Sequence, residues 1–593
     1  MVCCSSISDI KILEDIKFIE TILINPHEIW GIDMGKYSLE TIRKQIVGND
    51  LVFDTPFGKR HLLYADYTAS GRGLKMIEEK IQNILNSYAN THTEDDYSGK
   101  YLTILLHEAE ARIKEIVNAG KHGKIIMVGS GATGALKRLQ EIIGVYIPPV
   151  TKERIYNSIR ESGDSDHQIL KKVEKDRPAV FIGPYEHHTN ELMWREALVE
   201  VIIIKFDKRG MIDLDDLEKK LSDPAYKNRK KLASFSAGSN VTGIRTKVYG
   251  IARICHRHDA LVFFDFAAIA PYVKIDMNLD EESYFDAIFF SPHKFLGGPG
   301  TSGVLVFNEK IYRKDLPPTT AGGGTVVYVR SNDHDFSEDI ETREKTGTPP
   351  ILQAIKAALV LDLKEKIGID TIEEVEMKYT KYFIEKLRKI PNVEILGDVD
   401  SVERVPIVSF NIKHRDRILH PKLVSKLLND LFGIQSRAGC SCAGPYGHIL
   451  LGIDHPTSQK YRRLILQGCE GIKPGWVRVN IHYTLSQEDV DYLIKAIEFI
   501  AGFGYLFLEK YALDMKTAEW KYIGFKDKLP LLSLDKTLQP KKIKLYELPA
   551  LRASYFKQAV TVAREIKKHA RTSFGKDEKE IEELKYFYYL YKT

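Results

Sequence analysis

From about residue 120 onward, short unbroken apolar runs alternate with stretches of helical or polar spacing. "KIIMVGSGATGALKRLQEIIG" reads as strand, glycine turn and helix. "PAVFIGPYEHH", "VEVIIIKFD", "KKLASFSAG", "ALVFFDFAA" and "DAIFFSPHK" are further runs of strand length. Runs of this kind between helices predict βαβ units and a mostly parallel sheet.

The flanking patterns are less regular. Residues 1–60 read as a mixed N-terminal segment with short helical patterns. "HLLYADYTASG" (61–71) predicts a strand ending in turn chemistry. "TILLHEAEARIKEIVNAG" (103–120) predicts a helix with Ile104, His107, Ala111, Ile113 and Ile116 near helical spacing, stopped at Gly120. Residues 145–180 form a polar insertion. "PPILQAIKAALVLDLKEKIG" (349–368) predicts a long helix, its prolines suiting an N-terminus, that leads to a second domain. After about residue 506 the chain is rich in Lys, Tyr and Leu and carries no chemical motif. The expected division is therefore 1–60, a large domain at 61–355, a smaller one at 356–505 and an extension at 506–593 of unassigned role.

Composition narrows the class. A chain of 593 residues exceeds what one core holds. Its 44% hydrophobic and 28% charged residues are those of a globular protein, and +5 is a small charge that gives no case for nucleic acid. No run reaches the roughly 18–20 apolar residues of a membrane span. The opening "MVCCSSISDIKILEDIKF" lacks the apolar core of a secretory signal. Six cysteines do not make a disulfide framework, so a reducing, cytoplasmic setting is expected. Cys3 and Cys4 are candidate lipidation sites without the glycine of a myristoylation signal.

Candidate chemistry sits at the strand ends, where open α/β sheets bind ligands. Gly129 to Thr133 lie between a strand and a helix, where free N–H groups suit a phosphate or simply make a tight turn. The lysine of a P-loop is missing. Asp265 follows four apolar residues and is either a helix cap or the partner of a buried cation. Lys294 ends the next apolar run, in "SPHK". Pyridoxal phosphate needs a Schiff-base lysine, an acid for its ring nitrogen and a phosphate nest, and all three occur here in order.

On these motifs the chain, over roughly 60–500, resembles the class V aminotransferase group of fold-type I pyridoxal-phosphate enzymes, most of all cysteine desulfurases and selenocysteine lyases. The resemblance implies an α/β fold. It would have a large, mostly parallel seven-stranded sheet with helices on both faces, a smaller α+β domain and, here, a C-terminal extension. "YADYTASG" is similar to the family's opening strand. "GATGA" resembles its phosphate loop, which implies phosphate contacts from Ala132 and Thr133. "EHHTN" implies that His187 stacks on the pyridine ring, and "SNVTG" that Asn240 contacts the phenolic oxygen. "FDFAA" and "SPHK" imply that Asp265 meets the ring nitrogen, that Ser291 and His293 bind phosphate and that Lys294 carries the cofactor. "TGTP" resembles a segment that reaches the partner subunit's cofactor through Gly347 and Thr348, implying a homodimer. "VRVNIHYT" implies that Arg478 clamps the substrate carboxylate. Two departures stand out: Ala268 replaces a glutamine that contacts the phenolic oxygen, and Asn480 replaces a serine.

"SRAGCSCAGPYGH" (436–448) resembles the desulfurase loop R-x-G-x-x-C-A, matching at Arg437, Gly439, Cys442 and Ala443. Cys442 is then the nucleophile. Arg437 and His448 are candidates to favour its thiolate, and Cys440 either resolves a persulfide or has no chemical role. CxC without a second Cys/His pair is weak as a metal site, and no metal is expected. The implied activity moves sulfur from L-cysteine to Cys442, with alanine released and a protein acceptor next in line. Another class V reaction on a different amino acid and a non-catalytic cofactor-binding scaffold are the alternatives.

Overall fold

The computed structural model describes residues 36–91, 93–161, 168–397, 403–526, 533–534, 541–569 and 577–590. Cys3 and Cys4 lie outside the described residues. Seven strands form the central sheet: β1 (Gly123–Val128), β2 (Ala179–Ile182), β3 (Glu200–Ile203), β4 (Lys231–Ser236), β5 (Ala260–Asp265), β6 (Ala287–Phe290) and β7 (Gly303–Asn308). Their order is β1-β7-β6-β5-β4-β2-β3. β7 is antiparallel to both neighbours, and the remaining pairings are parallel.

The unbroken apolar runs follow from burial on both faces. Phe264, Ile288 and Phe290 enter one core, while their neighbours Phe263, Ala287 and Phe289 enter another on the opposite face. The first core is covered by α1 (Tyr97–Ile116) and by a long helix further on. The second is covered by α2 (Gly131–Ile142) and α3 (His188–Glu196). The expected spacing along α1 is corrected. Its buried side is Leu102, Leu106, Ala109 and Ile113, at helical spacing, while Ile104 and Ile116 are half-buried and His107 and Ala111 exposed. Only Ile113 is shared, because Ile104, His107 and Ala111 belong to a neighbouring stripe. "HLLYADYTASG" also shortens on folding. His61 ends the strand Gly58–His61 and pairs with Val52, Leu63–Tyr64 pairs parallel to Ile434–Gln435, and the rest runs as loop into the site.

The polar insertion contains two helices, Pro149–Glu161 and Gln168–Lys175. The helix from the "PP" motif, α4 (Ile351–Ile367), packs its apolar residues into the large-sheet core along its whole length. A five-stranded antiparallel sheet follows: β8 (Val393–Ile395), β9 (Ile407–His414), β10 (Arg437–Gly439) and β11 (Trp476–Asn480) in the order β8-β9-β11-β10, with Arg417–Ile418 paired to β9 as the fifth strand. Its core is not built from the middle of the chain alone. Phe57, Leu63 and Ala65 enter it from one end, and Tyr555, Ala559 and Phe587 from the other. Lys541–Lys542 also pairs with Leu51–Val52, so the C-terminal extension is structurally part of the smaller unit. No helix among the described residues is long and apolar enough to cross a membrane.

Candidate active site

A cavity of ≈ 210 Å³ opens at the carboxyl ends of β4 to β6. Ser130, Ala132, Thr133, His187, Asn240, Asp265, Ala268, Ser291, His293 and Lys294 all line it. The βα order places them together, because each follows a strand end that faces the same crevice.

Lys294 ends a single 3₁₀ turn, Pro292–Lys294, directly after β6. The glycines around it serve close backbone approach. Gly71 N–H donates to His293 O at 2.8 Å, and a Cβ on Gly71 would lie 1.8 Å from Phe295 O. A Cβ on Gly298 would lie 2.0 Å from Pro292 O. Burial pushes the Lys294 amine down to about 8, against the pull of Asp265 and helped by the Arg478 charge. Burial pushes Asp265 up to about 6; an N–H from Ala267 at 2.8 Å and the Lys294 charge oppose it. Among the described residues, neither Lys294 Nζ nor Asp265 Oδ2 has a hydrogen-bond partner, and both groups face the cavity.

At the other end, α2 begins at Gly131, and Ser130 and Thr133 stand at its N-terminus, where N–H groups favour an anion. Ser291 Oγ accepts from Ala132 N–H at 2.8 Å, so its hydroxyl proton is free to donate. Thr133 Oγ1 meets Thr189 Oγ1 at 2.8 Å, and His293 lies beside Ser70.

His187 caps α3. Thr189 N–H donates to its Nδ1 at 3.1 Å, so the ring proton is on Nε2. Burial, with the Lys294 charge second, lowers its pKa to about 3 and keeps the ring neutral. Glu186 beside it was not singled out by sequence. It accepts from Gly183 N, Ser236 N, Ser236 Oγ and Asn190 Nδ2, tying the ends of β2 and β4 beneath the cavity. No motif logic separates such a buried brace from a catalytic acid.

The smaller unit closes the site. Arg478 on β11 donates to Asn240 O at 2.9 Å and to Asp66 Oδ1 at 3.1 Å, and its buried Nε has no partner. Arg437 donates to Asp66 Oδ2 at 2.9 Å. That bond uses only Nε, and the Arg437 side chain is half exposed. His448 lies in the helix that follows the cysteine loop. Cys440 is half-buried and Cys442 exposed. Asn240 lines the cavity, and its Nδ2 donates to Ser441 O at 2.6 Å. Gly347 and Thr348 are exposed and do not line the cavity within one chain. Among the described residues no group of three or more His, Cys, Asp or Glu side chains is placed to hold a metal.

The donor set fits pyridoxal phosphate. An unpartnered amine, a carboxylate with one free oxygen, a neutral imidazole and a hydroxyl-rich helix N-terminus line one pocket. The orphaned Arg478 Nε adds a place for a carboxylate.

Comparison with known proteins points the same way. The profile of the family described as Aminotransferase class-V matches residues 166–493. A protein of Halalkalibacterium halodurans named probable cysteine desulfurase is 28% identical over 399 residues, 66% of this chain and 87% of that protein. One of the same name from Streptomyces coelicolor is 25% identical over 413 residues, 69% of this chain and 90% of its own. Among solved structures, the apo cysteine desulfurase of Thermococcus onnurineus NA1 shares the fold with a TM-score of 0.60 at 24% identity, covering 78% of this chain and 98% of that one. A cysteine desulfurase of Escherichia coli does so with a TM-score of 0.57 at 18% identity and the same coverage.

Proposed function

The chain belongs to the class-V aminotransferase family, and on that premise we propose that it is a cysteine desulfurase. The observation that carries the reading is one pocket. Lys294 Nζ and Asp265 Oδ2 face it without hydrogen-bond partners, and the Cys442 loop is tied to its lining through Asn240, whose Nδ2 donates to Ser441 O at 2.6 Å. Pyridoxal phosphate, when bound, supplies the electron sink for chemistry at the substrate Cα.

The protein's own groups do the rest. Lys294 would hold the cofactor through its amine, Asp265 would hold its ring nitrogen, and His187 would lie against the ring with Nε2–H as donor. Ala132, Thr133, Ser291 and His293 would hold the phosphate. Arg478 orients the substrate by its carboxylate. Lys294 Nζ takes the α-proton, and an amine lowered to about 8 is already partly neutral near pH 7. The Cys442 thiolate then bonds to the substrate sulfur as the Cβ–S bond breaks. The products are a persulfide on Cys442 and, after proton return, alanine. A reducing, cytoplasmic setting suits this thiol.

The exposed Gly347 and Thr348 suit contact with a second copy's phosphate, so the working form is a homodimer, to be checked by light scattering. The reading is tested by incubating the holoenzyme with a panel of amino acids and assaying sulfide, alanine and keto-acid products. Alanine and sulfide from cysteine support it. Keto acid without sulfide assigns another class V reaction, and no product from any amino acid points to a scaffold.

A further inference from the structure

We propose that His188 is a positioning residue that latches the Cys442 loop to the large domain. The inference rests on Cys442 being the sulfur acceptor. Two hydrogen bonds carry it. The His188 backbone N–H donates to Cys442 O at 2.8 Å, and Gly444 N–H donates to His188 Nε2 at 2.9 Å. One residue therefore grips the chain on both sides of Ala443, 256 positions away at the second contact.

The loop needs such a grip. Ser441 and Cys442 adopt φ of 49° and 57°, a left-handed conformation that side chains other than glycine avoid. Two such residues in succession persist only where the surroundings hold them. The Ala443 N–H to Cys440 O bond closes the curl locally, while His188 and Asn240 supply the anchors from the large domain. Gly444 is packed so closely that a Cβ there would come 3.2 Å from His188 Nε2.

The chemistry of the ring is fixed by its partner. A backbone N–H can only donate, so Nε2 of His188 is bare and Nδ1 carries the proton. Burial keeps the ring in this neutral form. The adjacent histidines thus divide the work: His187 faces the cavity, and His188 turns to the loop. An acceptor of similar reach, such as a glutamine carbonyl, can replace the imidazole. An apolar side chain cannot.

The test uses the full-length holoenzyme and measures alkylation of Cys442 by iodoacetamide, followed by mass spectrometry of the loop peptide. His188→Leu should raise the rate roughly five- to tenfold, the worth of about one hydrogen bond. His188→Gln should stay near wild type. The cofactor absorbance should be unchanged in both, and with cysteine as substrate kcat should fall in His188→Leu while KM stays. If the leucine variant is insoluble, His188→Ala replaces it. An alkylation rate equal to wild type in the apolar variant, or equal loss in His188→Gln, would overturn the latch. If the wild-type protein does not turn over cysteine, the functional reading falls, but the alkylation comparison still decides the latch.

Discussion

Asp66 and Arg478 form a buried ion pair at 3.1 Å across 412 positions of sequence. The same carboxylate also binds Arg437, so one aspartate holds the proposed substrate arginine and the base of the cysteine loop together. The two contacts differ in weight. Arg478 is 4% exposed and Arg437 is 49% exposed, so solvent screens the second pair.

Asp66→Ala should therefore act through Arg478. Removing one partner of a buried pair leaves an uncompensated charge and costs about 3–5 kcal/mol. A lowered urea midpoint would show it. Excess L-alanine should restore part of the loss, because its carboxylate can take the vacated place on Arg478, and the variant should gain more thermal stability from alanine than wild type does.

Lys294 is expected to carry the cofactor covalently. Borohydride reduction of the yellow holoenzyme should fix the label on the peptide containing Lys294, and Lys294→Ala should yield no fixed label. A label on another lysine would reassign the residue.

Asp265→Asn should cripple turnover more than cofactor retention. The phosphate contacts and His187 survive, but the ring nitrogen loses its anion. A charge-assisted hydrogen bond is worth about 1.5–3 kcal/mol, or roughly ten- to a hundredfold in rate. Single-turnover kinetics on the loaded variant separates this from weaker binding.

Cys442 should gain the extra sulfur after one turnover with cysteine, read by mass spectrometry of the loop peptide. Cys442→Ala should abolish sulfide release and leave the cofactor spectrum intact. Cys440→Ala should retain the chemical step and alter only transfer to an acceptor. An extra sulfur on Cys440 alone would exchange the two assignments.

Glu186 should give stability a pH dependence. Burial, opposed by bonds from Ser236 and Asn190, raises it to about 7 from an ordinary 4.5. The native state thus binds this proton more tightly than the unfolded chain does. The resulting stabilisation is full below about 4.5 and is lost as pH rises through about 7. The stability of wild type relative to Glu186→Gln should decline across that window in urea titrations.

The large sheet and the line of residues at its strand ends were legible in the apolar pattern of the chain. Short unbroken apolar runs alternating with helices suit strands covered on both faces, and a polar residue closing such a run sits at the strand end where the crevice opens. Asp265, Ser291, His293 and Lys294 were legible as lining one cavity for that reason. Contacts between distant segments were not. Asp66 reads as one acid in a turn until folding brings it to Arg478, and His188 reads as the second of two histidines until Gly444 reaches its ring. The C-terminal extension shows no motif, yet Tyr555 and Phe587 complete the core of the smaller unit. These are pairings between distant segments, set by which faces pack together, and local periodicity carries no information about them.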